Sequence, residues 1–137
     1  MTTSDEARPP RRLGRSAVAV LAGLAANVVL AMFADQLMYA LGLFPRPPAV
    51  SHATGPYILA TAYRAGFGVA GSWLAARLAP SHPMRHALIL GGIGLVLCTA
   101  GLVAALSMDL GPVWYPLALL IVTPASTWLG GILGAKR

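Results

Sequence analysis

Charge is scarce in this sequence. Only 10% of its 137 residues are Asp, Glu, Lys or Arg, and four of them are acidic, against roughly 25% charged residues in ordinary soluble domains. So little charge cannot cover a water-facing surface, which argues against a soluble globular domain. Cysteine is nearly absent. The lone Cys98 excludes an intramolecular disulfide and any cysteine-cluster metal site, and inside an apolar run it reads as a small buried hydrophobe. Catalytic patterns are missing as well. There is no G-x-S-x-G, no H-E-x-x-H and no acid pair placed to support hydrolysis. GGIG at 91–94 lacks the rest of a dinucleotide fingerprint and follows no strand, so it reads as a packing surface. No catalytic residue, metal site or cofactor is expected, and the chain reads as a non-enzyme.

What is present is apolar. Hydrophobic residues make up 57% of the chain and the mean hydropathy is +0.70. Four runs, 16–44, 56–78, 84–107 and 112–134, each reach the about 20 residues needed to cross a hydrocarbon core. Residues 1–15 (MTTSDEARPPRRLGR) are polar and basic and read as a disordered cytoplasmic tail preceding a transmembrane domain over 16–137. A cleavable signal peptide is a poor match, because its apolar region is only about 7–15 residues long. The expected fold is an all-α membrane protein, an antiparallel bundle of four transmembrane helices whose sequential neighbours pack together through short linkers.

The basic residues orient that bundle. With four spans, Arg8, Arg11, Arg12, Arg15, Arg77, Arg85, Lys136 and Arg137 fall on one side, and only Arg46, with the acidic Asp109, on the other. The positive-inside rule therefore puts both termini in the cytoplasm. Phe44, Tyr57, Trp114 and Tyr115 read as aromatic anchors at the outer interface and Trp128 nearer the inner one. The net charge of +6 is thus a topology signal, without the aromatic–basic interleaving of a nucleic-acid surface, and no nucleic-acid partner is expected.

Two ionisable residues break the apolar runs. Asp35 sits in MFADQLMYALG, nine residues before Phe44, which is about 13 Å below the outer end of the first helix. Arg64 follows Tyr57 by seven residues, about 10 Å below the same end of the second. Intramembrane charges face the bundle interior and pair, and the guanidinium fork suits a carboxylate, so an Asp35–Arg64 ion pair is expected. Asn27 and Gln36 complete a polar intramembrane cluster, with Asn27 on the Asp35 face beside Gly23 and Ala31. On the second helix Ala60, Gly68, Gly71 and Ala75 share the Arg64 face and permit close approach. Two readings stay open. The pair fixes the register of the two helices, or Asp35 serves a polar path through a small, dimeric transporter or channel.

The remaining polar features are weaker. His82 and His86 stand at i, i+4 spacing but Pro83 intervenes, and they read as solvated interfacial residues. His52 is a loop residue without an evident partner. Pro124 should bend the fourth helix, with Thr123 or a nearby Ser capping the freed carbonyl. Gly130-x-x-x-Gly134 reads as a possible dimer face. No internal repeat supports an inverted-repeat transporter.

The stretch from Tyr63-Arg64 through GSWLAARLAPSHPMRHALILGGIGLVL to GPVWYPLALLIVTPASTWLGG resembles small four-helix bacterial inner-membrane proteins without assigned function. APSHPMRHALILG (79–91) and GPVWYPLALL (111–120) are similar to that group's helix boundaries. The resemblance covers about the last three helices. It implies a bundle in a bacterial inner membrane and transfers no activity or site. Small multidrug transporters resemble the chain in size and in one acidic residue in the first helix, but they lack the arginine of the second. Small fluoride channels are similar only in size. The expected protein is structural or accessory, with the lipid bilayer and copies of itself or another membrane protein as partners.

Overall fold

The structure, a computed structural model, describes residues 11–46 and 49–136. They form four α-helices: α1 Arg11–Ala40, α2 Thr54–Leu78, α3 Pro83–Ser107 and α4 Trp114–Ala135. No strand occurs among the described residues. Most of the segment expected to be a disordered tail, residues 1–10, lies outside them, while residues 11–15 already belong to α1.

The helix ends follow from local chemistry. α1 stops at Ala40 rather than at Phe44 because Gly42 takes a left-handed conformation, φ +74°. Gly42 N–H then bonds Tyr39 O at 3.2 Å and Leu43 N–H bonds Met38 O at 3.0 Å. Those two bonds make a Schellman closure, which a glycine at this position adopts without a Cβ penalty. α2 ends at Leu78 as the residue before Pro80 turns extended. α3 starts on Pro83, whose missing N–H costs nothing in a first turn.

The packing places α2 at the centre. It touches all three other helices, and its most extensive partner is α4, followed by α1. Short linkers favour packing between sequential neighbours, yet α2 with α3 is a minor contact. α2 and α4 run parallel, since Gly68 meets Ser126, Ser72 meets Gly130 and Ala76 meets Gly134. Small residues at every fourth position on both helices bring the backbones together. Gly130-x-x-x-Gly134 is therefore occupied within the chain rather than offered as a dimer face. α1 crosses α2 antiparallel at Gly23 and Gly71, each of which stands against the other's carbonyl oxygen.

Inside and outside are inverted relative to a soluble domain. The buried core is mostly alanine, Ala19, Ala60, Ala75, Ala76, Ala79 and Ala87, with Val20, Met38 and Leu90 as its larger members, and among the described residues the largest side chain that is fully buried is Ser72. Phe33, Val96, Leu106 and Ile121 point outward, each more than three-fifths exposed. So extensive an apolar perimeter is far beyond the scattered patches of a soluble monomer.

Three helices, over Leu13–Ala40, Pro83–Ser107 and Trp114–Ala135, are long and apolar enough to cross a membrane. α2 was expected as a fourth and falls short on composition, because Arg64 and its Gly, Ser, Thr and Tyr residues dilute its apolar content. Its central place explains this. Its small residues serve the close packing against α1 and α4, while Ile58, Leu59 and Trp73 keep an exposed apolar face.

Candidate functional site

Asp35 on α1 and Arg64 on α2 come together near the Met38 end of α1, well away from the crossing at Gly23 and Gly71. The Arg64 guanidinium donates to Asp35 Oδ2 at 2.6 Å. The other carboxylate oxygen, Oδ1, accepts from the Tyr63 hydroxyl. Tyr63 and Arg64 are adjacent on α2, so their side chains diverge by about 100° around the helix and straddle the carboxylate. Phe67, one turn on, lies 5.6 Å from the Tyr63 ring. The pair is half-buried rather than sealed, with Arg64 33% and Asp35 30% exposed.

The rest of the expected cluster divides. Asn27 lines a cavity with Arg64 and its Cβ packs beside Gly71. Gln36 is exposed and turned away from the cluster. One residue on from Asp35 is about 100° around a helix, and that rotation takes Gln36 to the perimeter. Tyr63 is the participant that sequence reasoning missed. Its depth beside Arg64 was a usable signal, but whether a hydroxyl reaches the carboxylate depends on helix rotation.

Two cavities meet at Arg64. The inner one, about 190 Å³, is bounded by all four helices and carries Asn27, Ser72, Thr123, Ser126 and Thr127. The outer one, about 330 Å³, extends past Tyr57 and Tyr115 to Leu110 and Pro112 in the α3–α4 loop. Both are walled by Arg64, Leu97, Cys98 and Leu119, and neither by Asp35. Cys98 is half-buried, with its sulfur 3.6 Å from the Thr123 hydroxyl.

Thr123 and Thr127 use their hydroxyls within α4, donating to Leu119 O at 2.6 Å and Thr123 O at 2.7 Å. The carbonyl that Pro124 deprives of an amide partner belongs to Leu120. Thr123 thus bonds the carbonyl one residue earlier, not the one expected.

The outer end is knit by side chains. Tyr57 packs its ring 4.9 Å from both Phe44 and Tyr115, so residues read singly as anchors form one cluster. His52, expected to stand alone, pairs with Asp109 at 3.1 Å and ties the α1–α2 loop to the α3–α4 loop. At the other end Arg77 donates to Lys136 O at 2.9 Å and stacks over Trp73 at 5.8 Å. His86 is buried rather than solvated, its Nδ1 3.0 Å from His82 O. No group of three or more His, Cys, Asp or Glu able to hold a metal occurs among the described residues.

Comparison with protein-family models, with curated proteins and with solved structures finds no match to this chain.

Proposed function

We propose that the chain is a multi-pass inner-membrane protein of structural or accessory type, with four spans, both termini cytoplasmic, and α1 clasped to α2 by Asp35, Arg64 and Tyr63. The observation that carries this reading is the Asp35 carboxylate engaged through both of its oxygens. Asp35 has one oxygen on Arg64 and the other on Tyr63. A carboxylate held by two side chains of the neighbouring helix fixes the register of α1 against α2, which suits a structural pin. The inverted core and apolar perimeter support membrane residence, and the central place of α2 lets it span despite its composition. The one-sided distribution of Arg and Lys supports the orientation. No catalytic constellation is assigned.

The clasp is tested by exchanging the charges. A protein carrying Asp35→Arg with Arg64→Asp should insert and assemble, while either single exchange should not. Failure of the double exchange alongside full stability of both single ones would sink the clasp.

A second reading, a small transporter or channel, is favoured by the cavities that meet at Arg64. Flux through proteoliposomes, abolished by Asp35→Asn in a protein that remains folded, would select it over the first.

A further inference from the structure

Gln36 places a carboxamide on the apolar perimeter of α1. Asp35 beside it is bonded to Arg64, which follows Tyr57 by seven residues, so Gln36 lies about 10 Å below the outer end of the bundle. A helical side chain leans toward the N-terminus of its own helix. For α1 that is the Arg11 end, so the carboxamide leans deeper into the apolar layer and away from the outer headgroups. It meets no partner among the described residues. Thr99 and Ser107 are exposed as well, yet their hydroxyls donate within α3 to Leu95 O and Val103 O. Hydrocarbon offers neither donor nor acceptor, and a polar side chain there is satisfied by a neighbouring helix.

The residues before Gln36 form a seam. Val18, Ala22, Ala25, Val29, Met32 and Gln36 recur at alternating spacings of four and three, the heptad pattern that keeps one helix face against a partner helix. Val18, Val29 and Met32 are 61%, 64% and 62% exposed, Ala25 and Gln36 are exposed, and Ala22 is half-buried. The seam is turned away from the contact with α2 at Gly23. α1 packs on α2 and only slightly on α3, which leaves this face uncovered. From Val18 to Gln36 it runs about 27 Å, close to the whole hydrocarbon thickness. The alanines on it permit close approach of a second backbone.

The occupant follows from complementarity. A carboxamide has two N–H donors and an acceptor oxygen, so it is complementary to a second carboxamide at the same depth. Copies threaded in one direction present Gln36 at one depth, and a two-fold axis along the membrane normal brings each to its mate. A different protein would need a polar group of its own at that level on a seam of the same period. We propose that the α1 seam is the interface of a parallel homodimer, pinned by hydrogen bonds between the two Gln36 side chains. A single polar residue at a heptad position fixes register and copy number. The interface rests on the membrane reading and on a single orientation of all copies.

Resistance to alkaline carbonate extraction, measured first on cell membranes, reads membrane residence by itself. Energy transfer between full-length copies carrying donor and acceptor fluorophores at the C-terminus, in lipid vesicles of graded protein density, then measures dimerisation. Gln36→Leu should raise the dissociation constant about tenfold, while Gln36→Asn keeps a carboxamide and should raise it less than about threefold. In a Cys98→Ala chain, single cysteines replacing Val29 or Met32 should form an intermolecular disulfide under mild oxidation, and cysteines replacing Val96 or Ile121 should not. If Cys98→Ala does not fold, energy transfer with the Gln36 variants decides the matter. An extraction-resistant chain that stays monomeric at every density overturns the interface alone. So does a Gln36→Leu chain that dimerises within about twofold of the unaltered one, or cross-linking at Val96 or Ile121 in place of Val29 and Met32. A disulfide from Val29 or Met32 positions to a different protein in cell membranes, in place of the homodimer, overturns it as well. Release by carbonate overturns the membrane reading and the interface together.

Discussion

Gly130 is the position where a single methyl group should do most damage. A Cβ built there would meet Ser72 Cβ at 2.7 Å and the Trp73 amide nitrogen at 2.9 Å, with the Val69 carbonyl oxygen closer still. Unstrained carbon contacts lie at about 3.5–4 Å, so α2 and α4 must separate by about 1 Å around this point. A gap of that size forfeits roughly a quarter to a half of the dispersion well of every facing atom pair. Two of the obstructing atoms are backbone and cannot rotate away. Overpacking of this kind costs about 1–3 kcal/mol, and Gly130→Ala is expected near the upper end. Gly92 is the control. It lies in α3 with nothing within 4 Å of its Cβ position, so Gly92→Ala meets no clash and gains up to about 1 kcal/mol in helix propensity. Reversible unfolding in mixed micelles, followed by circular dichroism, measures both. If Gly130→Ala were as stable as the unaltered protein, or the two variants lost stability equally, the parallel α2–α4 contact described above would be wrong.

Other outcomes follow from the same structure. Tyr63→Phe removes the hydroxyl on Asp35 Oδ1 and should cost about 0.5–1.5 kcal/mol in the same assay. His52→Ala removes an exposed pair, with side chains 56% and 78% accessible, and should change stability by less than about 1 kcal/mol. Cysteines placed at Phe33, Val96 or Ile121 should react with a lipid-soluble maleimide, while one at Ala75 should resist until the protein unfolds. Alkaline phosphatase fused to the C-terminus should be inactive, and activity there would reverse the proposed orientation.

The Asp35–Arg64 contact was legible in the sequence because counting residues from a shared helix end gives depth, and two opposite charges at one depth on neighbouring helices have few other solutions. Rotation is not legible in that way. Tyr63 and Gln36 each sit one residue from a member of the pair, and only the crossing of α1 over α2 turns one toward the carboxylate and the other outward. The small residues of α4 were visible as a pattern, but a small-x-x-x-small stripe carries no address. It suits another copy, α3 or α2 equally well until the packing selects α2. The end of α1 was misplaced because Leu41 to Phe44 continue the apolar run, and the Schellman closure at Gly42 overrides hydropathy there. α2 looked like any other span, yet its Gly, Ser and Tyr content is what its central position requires.

The clasp is the central claim, and a double-mutant cycle measures it most directly. Stabilities of the unaltered protein, Asp35→Asn, Arg64→Gln and the double variant, determined in lipid bicelles, isolate the energy that the two side chains share. A coupling of about 1–2 kcal/mol is expected for a half-buried charged pair joined at 2.6 Å. Additivity of the two substitutions within about 0.3–0.5 kcal/mol, the scatter found for independent sites, would contradict it.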